Sequence, residues 1–359
     1  MAWHVAVVGT GGWSRVHLAA LAASPHVERV TLVGRNEQSL AERAAEFPIV
    51  AATANDVRPV LEDPSVEVVC VVLPHHMHAE TTRASLEAGK HVICEKPAAI
   101  NLAKLDLVRA AATAAGRRFL IVMNQLYNPV VWRVRKLVEA GALGRVFLSV
   151  ENAYSNASRA YREPANWRTT RAAAGGGVLI DGGFHMVYRH LHYLEPLGWP
   201  RWVSADAAQL AVDASGRNVA EKGEDFIGAT VGYEAPLRIQ WGHAWTLDAA
   251  PTRARQNFLA GTHGTLEMTG EPSNALRLCR ASSEEPIAVE PGPYTGTDTT
   301  HHCLLDYIDC LVHGREPVRA SFQLARASLE VVLAIYESAR LGRRVDLSCP
   351  VDDCERISS

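Results

Sequence analysis

The segment Gly9-Thr10-Gly11-Gly12-Trp13-Ser14 constrains this chain more than any other. It closes an apolar run, His4–Gly9, that reads as a buried strand, and opens a helical pattern over Ser14–Ser24 that stops before Pro25. Such a turn needs Gly9 for its tightness and a bare Gly11 for close backbone approach. The helix start around Gly12, Trp13 and Ser14 then offers N–H groups and the positive end of a helix dipole to an anion. The third position of the glycine pattern is Ser14, which is small but neither Gly nor Ala. A dinucleotide pyrophosphate is the expected ligand; a plain tight turn is the alternative.

The texture that follows is strand and helix in alternation. Arg29–Gly34, Val66–Leu73, His91–Cys94 and Phe119–Met123 read as strands. Glu37–Phe47, with Leu40, Ala44 and Phe47 at helical spacing, reads as a helix, as do Glu80–Ala88 and Leu102–Ala115. Strands with few polar residues, separated by helices, predict an α/β domain with a doubly wound parallel sheet over residues 1–124. Beyond it the pattern changes. A helix (Val130–Ala140) precedes strands at Val146–Asn152, Phe226–Tyr233, Leu237–Thr246, Arg255–Ala260 and Gly264–Met268, and two helices (His302–His313, Ala320–Ala339) end the chain. Residues 125–359 are therefore expected to form an α+β domain on a mostly antiparallel sheet.

A formal charge of −3 over 359 residues gives no basic field for nucleic acid or an anionic membrane. No run approaches 18 apolar residues, so a transmembrane helix is not expected. Met1 leads directly into a strand pattern, and the seven cysteines are widely spaced without a Cys-x-x-Cys pair. A cytoplasmic location with reduced thiols is the expectation. A small molecule is the expected partner.

At the end of the second strand stands Gly34-Arg35-Asn36, with no acid to accept from a ribose diol. Glycine leaves room for a 2′-phosphate and Arg35 supplies a planar cation for it, which favours NADP(H) over NAD(H); an arginine that binds no ligand, or one that stacks on adenine, is the alternative. Further along come Glu95-Lys96-Pro97 and Asp181-Gly182-Gly183-Phe184-His185. Removing hydride from a carbinol carbon requires a base tuned near neutrality, for which histidine is suited. If Leu179–His190 is helical, Asp181 and His185 lie one turn apart on one face. His185 then serves as general acid/base, Asp181 binds Lys96 or a neighbouring hydroxyl in an orienting role, and Lys96 donates to the developing alkoxide and stabilises it.

With these segments in hand, the chain resembles the Gfo/Idh/MocA family, the relatives of glucose-fructose oxidoreductase and inositol dehydrogenase. The resemblance runs through the glycine loop, Pro74…His78, Glu95-Lys96-Pro97, Asn166-Trp167-Arg168, and Gly175-Gly176-Gly177 followed by Asp181-x-Gly183-x-His185. It extends to Arg315-Glu316-Pro317 and Tyr336-Glu337-Ser338-Ala339. It implies a nicotinamide-dependent oxidoreductase acting on a sugar, glycoside or cyclitol, with Lys96, Asp181 and His185 carrying the chemistry. It places Pro74, His78, Glu95, Lys96, Pro97 and Arg168 near the cofactor, and allows a cis Lys96–Pro97 bond. It also implies a homodimer or homotetramer formed through the second-domain sheet.

Tyr188 is a departure, since an acid often stands three residues after the family's histidine. His75-His76-Met77-His78 and His301-His302-Cys303 are dense in ligand-type side chains. No carboxylate cluster accompanies the former, so no metal is expected. Asn124 and Tyr127 follow the last strand of the first domain, where a substrate cleft should open, and Trp167, Arg168 and Trp245 suit a sugar ring. Two other readings share these residues: an enzyme that retains NAD and cleaves glycosides through transient oxidation, and a non-catalytic cofactor-binding protein.

Overall fold

Valine-rich segments pair side by side to build the first sheet. In the computed structural model, which describes residues 3–156, 161, 163, 166–211, 221–234, 236–247, 255–269 and 274–348, six strands lie in the order β3-β2-β1-β4-β5-β6. They are β1 (Trp3–Val8), β2 (Val27–Val33), β3 (Val50–Ala54), β4 (Val66–Val71), β5 (His91–Cys94) and β6 (Phe119–Ile121). Every neighbouring pair is parallel. The helices between them are α1 (Ser14–Ala23), α2 (Glu37–Glu46), α3 (Arg58–Glu62), α4 (His75–Glu87) and α5 (Leu102–Ala115). Val5, Val7, Val68, Val69 and Ile93 are fully buried, as strands covered on both faces require. Strand order reverses between β1 and β4, and the carboxyl ends of this pair carry Gly9 and Pro74.

The chain divides into two compact units: Met1–Tyr127 with Thr295–Ala325, and Asn128–Tyr294 with Arg326–Ser359. The stretch Thr295–Ala325, counted by the sequence with residues 125–359, therefore belongs to the first unit. Its helix, Gly296–Val312, packs Cys303, Leu304, Tyr307, Ile308 and Leu311 into one core with Val7, Leu18 and Ile93. The buried Tyr307 hydroxyl donates to the Ile121 carbonyl at 2.6 Å, so its one polar atom is satisfied.

In the second unit nine strands run β14-β13-β12-β11-β7-β10-β9-β8-β15. These are β7 (Val146–Tyr154), β8 (Pro200–Ala208), β9 (Phe226–Tyr233), β10 (Arg238–Ala244), β11 (Arg255–Gly261), β12 (Gly264–Thr269), β13 (Ala275–Arg280), β14 (Ser283–Ile287) and β15 (Val345–Asp346). Neighbours are antiparallel except β7 and β10, which pair in parallel. Helix α6 (Pro129–Glu139) is followed by a short α7 (Arg171–Ala174) and by α8 (Phe184–Leu194). The apolar stripe of α8, Phe184, Val187, Tyr188 and Leu191, recurs at helical spacing and is buried. Later in the chain come α9 (Gly296–Val312), which belongs to the first unit, and α10 (Phe322–Leu341); among the described residues no helix is long and apolar enough to cross a membrane.

Three local expectations change. The helix placed at Glu80–Ala88 begins at His75, so the histidine cluster occupies a first helical turn rather than a loop; Pro74 adopts an extended conformation at its N-cap. The helix placed at His302 begins at Gly296, where the Thr295 side chain accepts from the Asp298 N–H. Leu179–His190 is not one regular α-helix: Leu179–Gly183 is a π-helical turn, and α-helical geometry starts at Phe184.

Candidate active site

In the first unit the glycine loop has the anatomy that its sequence predicts. Gly9 has φ +124°, and a Cβ there would lie 2.0 Å from the Val72 carbonyl oxygen. Only glycine fits the turn where β1 meets the end of β4. Gly11 and Gly12 are different: a Cβ on either meets nothing within 4 Å, so their backbone borders open space. Ser14 closes the loop by donating its hydroxyl to the Gly11 carbonyl at 2.7 Å. An exposed glycine backbone at the start of a ten-residue helix fits a pyrophosphate. At the end of β2, a Cβ on Gly34 would lie 2.5 Å from the Thr10 methyl, Arg35 is exposed, and Asn36 caps α2 by accepting from the Ser39 N–H at 2.8 Å. Asn36 thus has a structural duty.

The Glu95-Lys96-Pro97 segment leaves β5, and the Lys96–Pro97 peptide is cis. Glu95 and Lys96 are 8% and 9% exposed. The Glu95 carboxylate is turned into the protein, where Oε1 accepts from Trp13 Nε1 at 2.9 Å and lies 2.9 Å from His17 Nε2. Burial opposes this charge, but the His17 hydrogen bond and the neighbouring His17 and Lys96 outweigh it and hold the pKa below the usual glutamate value. His78 is buried between two carbonyls, with Nδ1 2.7 Å from Pro97 O and Nε2 2.7 Å from Leu73 O. Burial lowers its pKa although both carbonyls favour the charged ring, and a neutral ring donates to only one of them at a time. His78 thereby braces the segment that carries Lys96 against the end of β4. Cys94 donates to the Glu95 carbonyl at 3.3 Å, and burial pushes its thiol far above the normal range, away from nucleophilic service.

Asn124 and Tyr127 are also held inside this unit. Asn124 Nδ2 donates to Thr300 Oγ1 at 2.8 Å and to the Gly296 carbonyl at 3.1 Å. The Tyr127 hydroxyl donates to Asp306, and its ring lies beneath Arg319. Both tie the end of β6 to α9, a structural duty that the sequence reading did not assign them.

The second unit assembles the other residues on consecutive turns. Arg168 Nη1 donates to Asp181 Oδ1 at 2.8 Å, and its guanidinium stacks on the Trp167 ring at 4.7 Å. Asp181 is thus engaged by Arg168, which the sequence had put near the cofactor. His185 Nδ1 lies 2.7 Å from the hydroxyl of the fully buried Tyr188. Gly182 lets the π turn rest on β10: a Cβ there would come 3.1 Å from His243 Cε1 and 3.7 Å from Trp245 Cζ2.

The foundation of that turn was not read from the sequence. Glu224, buried, accepts from the Gly177 and Leu179 N–H groups at 2.8 and 3.0 Å and from the Tyr336 hydroxyl at 2.8 Å. A Cβ on Gly177 would lie 1.8 Å from the Glu224 carbonyl oxygen, which explains the glycine there. Lys222 secures the Arg168 loop by donating to Thr169 Oγ1 at 2.6 Å and to the Glu163 carbonyl at 2.8 Å. Helical spacing from Trp13 to His17 was a usable signal; nothing in the spacing of Glu224, Lys222 or His243 announces them.

Among the described residues, His26, Asp309 and His313 bring potential metal ligands together. Arg315 already donates to Asp309 Oδ2 at 2.6 Å, and a second cation would have to share that carboxylate. The histidines of α4 do not form such a group.

Family models match most of this frame. The model described as oxidoreductase family, NAD-binding Rossmann fold, covers residues 3–123, and that of the GFO/IDH/MocA C-terminal domain covers residues 131–267. The chain belongs to the GFO/IDH/MocA oxidoreductase family. Among its relatives, a levoglucosan dehydrogenase of Pseudarthrobacter phenanthrenivorans is 27% identical over 308 residues, covering 78% of this chain and 77% of that protein. A 1,5-anhydro-D-fructose reductase of Ensifer adhaerens is 26% identical, covering 93% and 98%. The crystal structure of an aldose-aldose oxidoreductase from Caulobacter crescentus, complexed with glycerol, superposes with a TM-score of 0.82 at 26% identity, covering 97% of this chain and 100% of that one.

Proposed function

We propose that this family member transfers a hydride between NADP(H) and a secondary alcohol or ketone carbon of a sugar, glycoside or cyclitol. The observation that carries the reading is the pairing of His185 with Tyr188, one turn from Asp181 with Arg168, in a chain that also bears an open glycine loop. A nicotinamide, when bound, takes or supplies the hydride. In this reading Gly9, Gly11, Gly12, Trp13 and Ser14 hold the pyrophosphate end, and Arg35 receives the 2′-phosphate. His185 takes the hydroxyl proton in oxidation and returns it in reduction. The Tyr188 hydroxyl holds Nδ1 so that Nε2 is the nitrogen turned to the reacting oxygen. Lys96 stabilises the alkoxide charge, and Asp181 with Trp167 positions the polyol. The named activities of the relatives, on levoglucosan and 1,5-anhydro-D-fructose, support a cyclic polyol as the substrate class. A homodimer or homotetramer through the nine-stranded sheet belongs to the same proposal.

The test is a panel of sugars, glycosides and cyclitols with each cofactor, followed by nicotinamide absorbance. Turnover with NADP⁺ or NADPH on a cyclic polyol is expected, and its loss in His185→Ala and Lys96→Ala. Cofactor binding without turnover across the panel would leave only a binding protein.

A further inference from the structure

We infer that His17 is a positioning residue for Lys96, acting through Glu95, which it and Trp13 fasten to the start of α1. The inference deepens the proposed hydride-transfer reading and rests on it. Glu95 leaves β5 with its carboxylate facing inward, and three donors converge on it. Trp13 Nε1 and His17 Nε2 lie 2.9 Å from Oε1, and the Lys96 N–H lies 3.3 Å from Oε2. Trp13 and His17 are four residues apart at the first turns of one helix, so they present the same face. The carboxylate therefore joins the segment that carries Lys96 to the helix that the glycine loop opens.

The chemistry of His17 argues against mere packing. Its side chain is fully buried, and Nδ1 has no hydrogen-bond partner. With Nε2 engaged by Glu95, Nδ1 is left unpaired whichever form the ring takes, a desolvation cost that an apolar side chain of similar volume would avoid. What the ring contributes in return is a donor to an anion withdrawn from water. A carboxylate placed there with fewer donors would have to take up a proton or move. Protonation weakens the acceptor of the Lys96 N–H, and movement removes it. The segment is held at its other end as well, where the Pro97 carbonyl meets His78 Nδ1 at 2.7 Å. Lys96 thus sits between two fastened neighbours, one tied to α1 and the other to α4.

The test uses the full-length protein labelled with ¹⁵N-lysine and ¹⁵N-tryptophan, in wild type, His17→Leu and His17→Gln. In His17→Leu the Trp13 indole and Lys96 amide resonances are expected to move. The turnover number should fall about tenfold while the cofactor dissociation constant stays within about threefold, since the lost term acts on the reacting geometry rather than on binding. Glutamine retains an N–H donor and should restore turnover to within about threefold of wild type. Wild-type resonances and wild-type turnover in His17→Leu would reduce His17 to packing and overturn the inference. If His17→Leu does not fold, Trp13→Phe deletes the other donor to Glu95 and is read on the Lys96 amide and on turnover at saturating cofactor, since Trp13 also belongs to the glycine loop. If the wild-type protein turns over no polyol, the functional reading falls, and the two resonances still decide whether the carboxylate holds Lys96.

Discussion

The Tyr188 hydroxyl lies 2.7 Å from Nδ1 of His185, one turn further along α8. A phenol both donates and accepts, so it holds the ring through either neutral tautomer, but it brings no negative charge to an imidazolium. Tyr188→Phe removes this one oxygen from a fully buried site. The expected result is a stability loss of about 1 kcal/mol, typical of one hydrogen bond. Turnover should drop about tenfold with little change in polyol KM, as steady-state kinetics and thermal melts would show.

Arg168 engages Asp181 while its own side chain is 43% exposed. Solvent screening limits what the pair gives to folding, so Arg168→Leu should cost less than about 1 kcal/mol of stability. Its effect belongs in the kinetics: with the Arg168 hydrogen bond to Asp181 lost, polyol KM should rise severalfold. Equal losses in stability and activity would show that Arg168 merely supports the loop.

The loop glycines should separate under substitution. Gly9→Ala adds a Cβ 2.0 Å from a backbone oxygen at φ +124°, and strain of roughly 1–3 kcal/mol or more should appear as a lower melting temperature. Gly11→Ala meets no protein atom within 4 Å, so the fold should hold while cofactor affinity falls. Calorimetry with NADPH and thermal melts check both outcomes.

Exposed Arg35 follows Gly34, whose missing side chain leaves room for the Thr10 methyl. Arg35→Asp replaces a cation with an anion where a 2′-phosphate is proposed to lie. NADPH affinity should fall by about tenfold or more, and NADH affinity should change little. An unchanged preference between the two cofactors would sink the assignment of NADP(H).

Two buried glutamates should tilt stability in opposite directions with pH. Burial opposes the Glu95 charge, but its donors prevail and the pKa is lowered, so its contribution is present above the ordinary glutamate value and is lost as pH falls through the depressed one. Glu224 is raised, chiefly by burial, so its contribution is present below the ordinary value and is lost as pH rises through the raised one. Calorimetric melts from about pH 4 to about pH 8 should therefore show wild type gaining on Glu95→Gln with rising pH and losing to Glu224→Gln.

The first sheet was legible because its strands are runs of β-branched residues bounded by glycine and proline. β3 (Val50–Ala54) escaped because four of its five residues are alanine or threonine and all are at least partly exposed. In the second sheet, β13 has a period-two pattern, Leu276 and Leu278 buried between exposed neighbours, but five other candidate strands hid it. β14, Ser-Glu-Glu-Pro-Ile, has almost no apolar face, as an edge strand allows. Motif spacing singled out Lys96, Asp181 and His185. It said nothing of Glu224, and it included Tyr336 in the family resemblance without a role, because a contact between residues 112 positions apart in the chain leaves no local period.

Tyr336 donates to Glu224 and accepts from the Ile180 N–H at 3.2 Å, one residue before Asp181. The last long helix is therefore part of the foundation on which the Asp181 turn rests. For protein engineering this sets a boundary on trimming from the C-terminal side. A tag appended after Asp346 leaves that foundation intact, whereas a deletion that reaches Tyr336 in α10 removes the hydroxyl that holds Glu224 and the start of the turn together. Such a protein would retain every residue of the two sequence motifs and lose the support that gives one of them its shape.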